Sequence, residues 1–80
     1  MNPGEYDYDQ VSRAGDPAAA VARLTDTELA ALLRYAEGIQ RQNDTNGGWP
    51  ATVKWLCVLA LAKRHVDKIT IEENQRQTTK

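Results

Sequence analysis

Side chains able to act as nucleophiles or general bases are few in this chain. The sequence contains one histidine (His65), one cysteine (Cys57) and one serine (Ser12). Nucleophilic catalysis needs a serine or cysteine within hydrogen-bond reach of a base such as histidine. Cys57 and His65 lie eight residues apart on one predicted helix, a rise of about 12 Å, which is too far for such a contact. We therefore expect a protein that is not an enzyme, with no catalytic residue.

The residues that could hold a metal ion or a cofactor are equally sparse. A lone cysteine excludes both an internal disulfide and a cysteine-based zinc site. The Asn43–Gly48 segment lacks the later acidic ligand of a calcium-binding EF-hand loop, and its two glycines lack the pattern of a phosphate-binding loop. Four further carboxylates lie in predicted tails, which are too loose to preorganise a site: Asp7, Asp9, Glu72 and Glu73. We expect no metal and no cofactor.

Charge is nearly balanced overall but unevenly distributed along the chain. Ten Lys and Arg residues oppose eleven Asp and Glu residues, so the net charge is −1. Residues 1–40 carry seven acids and three bases (−4), whereas residues 41–80 carry seven bases and four acids (+3). The balance disfavours a uniformly basic nucleic-acid coat, an acidic DNA mimic and a polybasic membrane binder.

The basic half of the chain leaves nucleic-acid binding open as the alternative function, that of a small DNA-binding transcriptional regulator. Four of its cations could contact phosphates from one helix: Lys54, Lys63, Arg64 and Lys68. A helix-turn-helix arrangement is disfavoured, because about eight loop residues separate the second and third predicted helices. The third helix also begins with Trp-Pro-Ala-Thr-Val, which is poor in side chains that read bases.

The distribution of apolar residues divides the chain into three parts. Twelve of the fifteen Leu, Ile and Val residues lie between positions 17 and 66. We predict a flexible N-terminal tail over residues 1–15, a helical domain over 16–71 and a flexible C-terminal tail over 72–80. Tyr6 and Tyr8 alternate with acids in the first tail, a pattern typical of a solvated segment or of an acidic docking peptide.

Capping signals define the first two predicted helices. Asp16 and Pro17 form a good N-cap and first-turn pair, and a short helix over residues 17–23 follows. Thr25 and Glu28 have the spacing of a capping box. An amphipathic helix of residues 26–42 follows that box, with apolar residues recurring at helical spacing.

The third predicted helix starts at Trp49–Pro50 and ends near Val66 or near Ile71. Its side chains are apolar nearly all round for two turns, with one stripe formed by Trp55, Leu59, Ala62, Val66 and Ile69. Such a helix is either the central element of the domain or is covered in part by another chain. We predict an all-α fold, a small three-helix domain with a dominant antiparallel helix pair and flexible termini.

The preferred function is a small, non-enzymatic interaction or regulatory accessory protein that occupies a partner surface. Tryptophan and exposed helix surface are frequent in interfaces, so the candidate partner-binding residues are Trp49, Trp55, Leu56, Leu59 and Ala60. We expect a protein partner, and a second copy of this chain, bound through the third helix, is one candidate for it. The longest apolar run has eight residues, against about 20 for a membrane span. The N-terminus lacks the features of a signal peptide, so we expect a cytoplasmic protein without membrane attachment.

Overall fold

The computed structural model describes the backbone of residues 2–44 and 47–78, and side chains as far as residue 75. Within these ranges the chain forms four helices and no strand: α1 (Glu5–Arg13), α2 (Pro17–Ala22), α3 (Asp26–Gln42) and α4 (Gly48–Thr78). The predicted all-α fold is confirmed.

Helix α3 has the predicted bounds and the predicted cap. The Glu28 amide donates to the Thr25 Oγ1 at 3.1 Å, and the Thr25 amide donates back to the Glu28 carboxylate at 2.9 Å. The hydrogen bond from the Thr25 backbone lowers the pKa of Glu28, because it favours the ionised carboxylate. The capping box therefore fixes the start of α3, the amphipathic helix that the sequence predicts.

The antiparallel pair of α3 and α4 dominates the packing. Arg64, in the middle of α4, reaches Asp26 at the start of α3, as an antiparallel arrangement requires. All four helices contribute to one apolar core, and no polar side chain among the described residues is buried. The core consists of Val11, Val21, Leu29, Leu32, Ala36, Val53 and Cys57.

Helix α2 joins α1 to the pair. The Asp16 carboxylate accepts the Ala19 amide at 3.2 Å, and Pro17 occupies the first turn as predicted. Helix α2 buries Val21. It ends at Ala22, one residue before the predicted end.

The structure differs from the sequence prediction at the N-terminus, where residues 5–13 of the predicted flexible tail form α1. The bundle therefore has four helices, where three were predicted. Val11 is only 2% exposed, and Tyr8 packs beside it against the core. The prediction rested on the scarcity of aliphatic residues, but one valine and one tyrosine three positions apart give a short helix its apolar face.

Helix α4 continues to Thr78, which is beyond both of the alternative C-terminal ends predicted for it, Val66 and Ile71. The alternating segment 68–72 is helical, and residues 72–78 of the predicted C-terminal tail continue the helix; residues 79 and 80 lie outside the described residues. From His65 to Gln75 every side chain is exposed. This extension makes the molecule elongated, with principal dimensions of 54 × 24 × 21 Å.

Candidate interaction surface

Helix α4 carries apolar residues on two nearly opposite faces. On one face Val53 and Cys57 are fully buried, and Leu56, Ala60 and Leu61 pack against the core. The residues on the opposite face are exposed. We call this second set the α4 stripe; its members are Trp55, Leu59, Ala62, Val66 and Ile69.

The exposure of the α4 stripe is unusual for side chains of this size. Trp55 is 58% exposed, Leu59 63%, Val66 58% and Ile69 41%. Single exposed apolar residues are ordinary on protein surfaces, whereas a contiguous row on one helix is a candidate interaction surface.

The spacing of the α4 stripe is that of a coiled-coil seam. Successive members are separated by four, three, four and three residues, which places Leu59 and Val66 at a positions and the others at d positions of a heptad repeat. The buried Cys57 and the half-buried Arg64 then fall at f positions, the outer face of a coiled coil. The helix thus turns its f face to its own bundle and its a/d face to solvent.

The five predicted partner-binding residues separate into two groups. Trp55 and Leu59 belong to the exposed stripe. Leu56 and Ala60 are half-buried against the core of their own chain. Trp49 also packs against that core, and its indole Nε1 donates to Ser12 Oγ at 2.6 Å. These three side chains contact their own bundle, because α1 and α3 lie on their side of α4.

Three members of the stripe, Ala62, Val66 and Ile69, were not among the predicted site residues. Their heptad spacing was visible in the sequence, which groups them with Trp55 and Leu59. The sequence offers a second apolar row around Val53 and Cys57, and periodicity alone does not show which row faces the bundle.

The four cations of the alternative nucleic-acid surface do not form one basic face. Arg64 is engaged within the chain: it pairs with Asp26 at 2.7 Å and donates to the carbonyl oxygens of Ala22 and Leu24. Lys54 and Lys63 are nine residues apart, which places them on opposite sides of the helix. Lys68 lies one turn beyond Arg64 and is exposed. Lys54 and Lys68 are fourteen residues apart and lie about 40° apart around the helix, so Lys63 is the cation on the far side.

The three residues that could supply a nucleophile or a base differ in burial and in their partners. Cys57 is buried, and desolvation raises the pKa of its thiol to about 11, so the reactive thiolate is rare at neutral pH. His65 is exposed, and Ser12 donates to the carbonyl of Tyr8 at 2.7 Å. The described part of the chain holds no group of three or more residues able to bind a metal ion.

A shallow concavity between α1 and α3 contains the tyrosines of the predicted tail. Tyr8 stacks edge-on against Tyr35, with ring centroids 5.3 Å apart. Asp9, at the rim of this concavity, pairs with Arg13 at 3.1 Å. The contact between Tyr8 and Tyr35 helps to hold α1 on α3.

In the described ranges, no helix is sufficiently long and apolar to cross a membrane.

Comparisons of the chain with models of protein families, with curated proteins and with solved structures find no match.

Proposed function

We propose that this protein is a non-enzymatic interaction module that acts by occupying the surface of a partner protein, in the cytoplasm, through the α4 stripe. The observation that supports the proposal is the exposure of Trp55, Leu59 and Val66 at heptad positions of one rigid helix. Burying a fully exposed side chain of this size contributes about 1.5 to 3 kcal/mol, and the part still exposed on Trp55, Leu59 and Val66 is 58 to 63%, so the stripe is a source of binding free energy.

The position of the stripe supports binding by a helix. A heptad row about 21 Å long, from Trp55 to Ile69, matches the seam offered by an amphipathic partner helix of four turns. Helix-in-groove and helix-on-helix recognition both use anchors at this spacing. The bundle covers the opposite face of α4 and leaves the stripe accessible along its whole length.

A matched pair of variants tests the proposal by affinity capture from the source cell, at low and at high salt. Val66→Glu places a charge in the stripe, and Ile71→Glu places the same charge on a residue outside it; both residues are 58% exposed. We expect the wild type and Ile71→Glu to retain the same protein at both salt concentrations, and Val66→Glu to lose it. Equal retention by both variants would rule out the stripe as the binding surface.

The alternative function, DNA binding through Lys54, Lys63 and Lys68, predicts a different result. Phosphate contacts weaken steeply with salt because binding releases counterions from the DNA. Retention on DNA that falls with salt, and that Lys63→Gln weakens while Val66→Glu does not, would favour the regulator. The engagement of Arg64 with Asp26 supports the protein-binding proposal over this one.

A further inference from the structure

We infer that the occupant of the α4 stripe is a second copy of this chain, bound in the antiparallel direction through its own stripe. The inference rests on the proposed function and specifies its partner. In the arrangement we propose, Leu59 of one copy packs against Ile69 of the other, and Ala62 packs against Val66. Each a position thus meets a d position, and the two-fold axis passes level with Arg64.

The exposed helical extension offers surface for a partner helix. Side chains from His65 to Glu73 are exposed. Because the extension continues a helix that is already packed, the cost of nucleation is met, but these side chains are not buried against the bundle. A second copy of α4 would cover Val66 and Ile69 and supply packing to both extensions at once.

The area of the stripe fits a small two-fold interface. Its half-exposed tryptophan and aliphatic side chains offer on the order of 500 Å² of apolar surface per copy, or about 1,000 Å² for a pair. Specific interfaces begin near about 1,000 Å². An interface at this lower limit is expected to dissociate on dilution, and a closed two-fold contact limits assembly to two chains.

Charge selects the antiparallel direction. Glu73 occupies the next a position after Val66, so a parallel pair would place the two Glu73 carboxylates side by side in the seam. In the antiparallel pair each Glu73 instead lies level with Trp55 of the other copy, at the open end of the seam, and the two carboxylates are about 27 Å apart. Like charges in contact destabilise a helix pair, so this separation favours the antiparallel direction.

The shape of the molecule permits this contact. The buried residues Val53 and Cys57 mark the face of α4 that its own bundle covers, and that face is nearly opposite the stripe. The two bundles therefore lie on the outer sides of the α4 pair, at opposite ends, and do not collide.

Light scattering coupled to size exclusion tests the association, over low to high micromolar concentrations of the full chain. We expect the wild type to rise from 8.9 kDa toward twice that mass, Ile71→Glu to behave identically, and Val66→Glu to stay at the monomer mass. Circular dichroism of both variants checks that the helices remain. A constant monomer mass for the wild type would overturn the inference, and so would a dimer that Val66→Glu leaves intact.

Crosslinking of introduced thiols tests the direction. Lys63 lies at an e position, and in an antiparallel pair it lies across the seam from Lys63 of the other copy. A short bismaleimide should therefore join two Lys63→Cys chains. Glu73→Cys should not be joined, because the two sites lie about 27 Å apart along the pair. The reverse pattern would show a parallel dimer and overturn the inference. Cys57, buried and with a raised pKa, leaves the wild type as the uncrosslinked control.

The two proposals fail separately. A wild type that stays monomeric, together with stripe-dependent capture of another protein, removes the second copy as occupant but leaves the proposed function standing. A dimer lost in Val66→Glu, with no stripe-dependent capture, leaves the second copy as the only partner found.

Discussion

Replacing Gly4 by alanine tests the least expected element of the fold, the docking of α1. Gly4 precedes α1 and has a left-handed backbone, with φ at +85°. A Cβ at this position would lie 2.5 Å from the carbonyl oxygen of Ala31 and 3.0 Å from the Cα of Leu32. Both neighbours are backbone atoms of α3, so they cannot yield by changing a rotamer. The start of α1 must move away from α3.

The expected loss is about 2 to 4 kcal/mol in the free energy of unfolding. The left-handed backbone alone costs an alanine about 1 to 2 kcal/mol. Displacing α1 also exposes part of Val11, whose full burial is worth about 1.5 to 3 kcal/mol. Only part of that second amount is lost if α1 shifts without undocking, which sets the range.

Gly38→Ala is the matched control. Gly38 lies inside α3, and a Cβ there would meet no atom within 4 Å. Alanine has the higher helix propensity, so this variant should be more stable than the wild type by about 0.5 to 1 kcal/mol. Urea denaturation followed by far-ultraviolet circular dichroism measures both differences.

The indole resonances locate the effect. The chain has two tryptophans, of which Trp49 donates to Ser12 of α1 and Trp55 is exposed. In a ¹⁵N-correlated spectrum, Gly4→Ala should shift the Trp49 indole signal and leave the Trp55 signal in place. An unchanged stability together with an unmoved Trp49 signal would refute the close approach of Gly4 to α3.

Three further changes probe the junctions between the helices. Thr25→Ala removes the N-cap of α3 and should lower the unfolding free energy by about 1 kcal/mol; an unchanged denaturation midpoint would contradict the cap. Glu28 has a lowered pKa, so its contribution is present above the ordinary value of 4.5 and is lost as the pH falls through the folded-state pKa. Thermal melts of Glu28→Gln should consequently show a shallower loss of stability in acid than the wild type does, and parallel curves would contradict this linkage. Arg64→Met keeps the apolar stem but loses the bonds to Asp26, Ala22 and Leu24, which should cost about 1 to 2 kcal/mol in a urea titration; a wild-type midpoint would show that these bonds contribute nothing.

Local signals in the sequence predicted α3 well and α1 not at all. Thr25 and Glu28 specify a helix start through hydrogen bonds that span three residues, so the cap can be read from the sequence alone. Helix α1 depends on Val11 meeting the core and on Gly4 approaching the backbone of α3. Those contacts join residues that are distant in the sequence, and neither residue carries a helix signal of its own.

The sequence shows the spacing of the candidate site but not which face of α4 is exposed, for a related reason. The heptad spacing from Trp55 to Ile69 is present in the sequence, but so is the competing row around Cys57. The docking of α1, α2 and α3 decides which row is buried. Since α1 was not predicted, Trp49 was assigned to the partner surface, whereas its indole binds Ser12 of its own chain.

The burial of Cys57 makes its thiol a probe of the opening of the α3–α4 pair. A thiol reagent reacts with the thiolate, and at neutral pH this thiol is both enclosed by the core and held protonated. Labelling must therefore wait until α4 separates from α3, and the labelling rate at saturating reagent becomes the rate of that separation. Because the stripe lies on the other face of α4, a partner seated there slows the labelling of Cys57 only when opening also unwinds α4, so the labelling rate distinguishes separation of an intact helix from its unfolding.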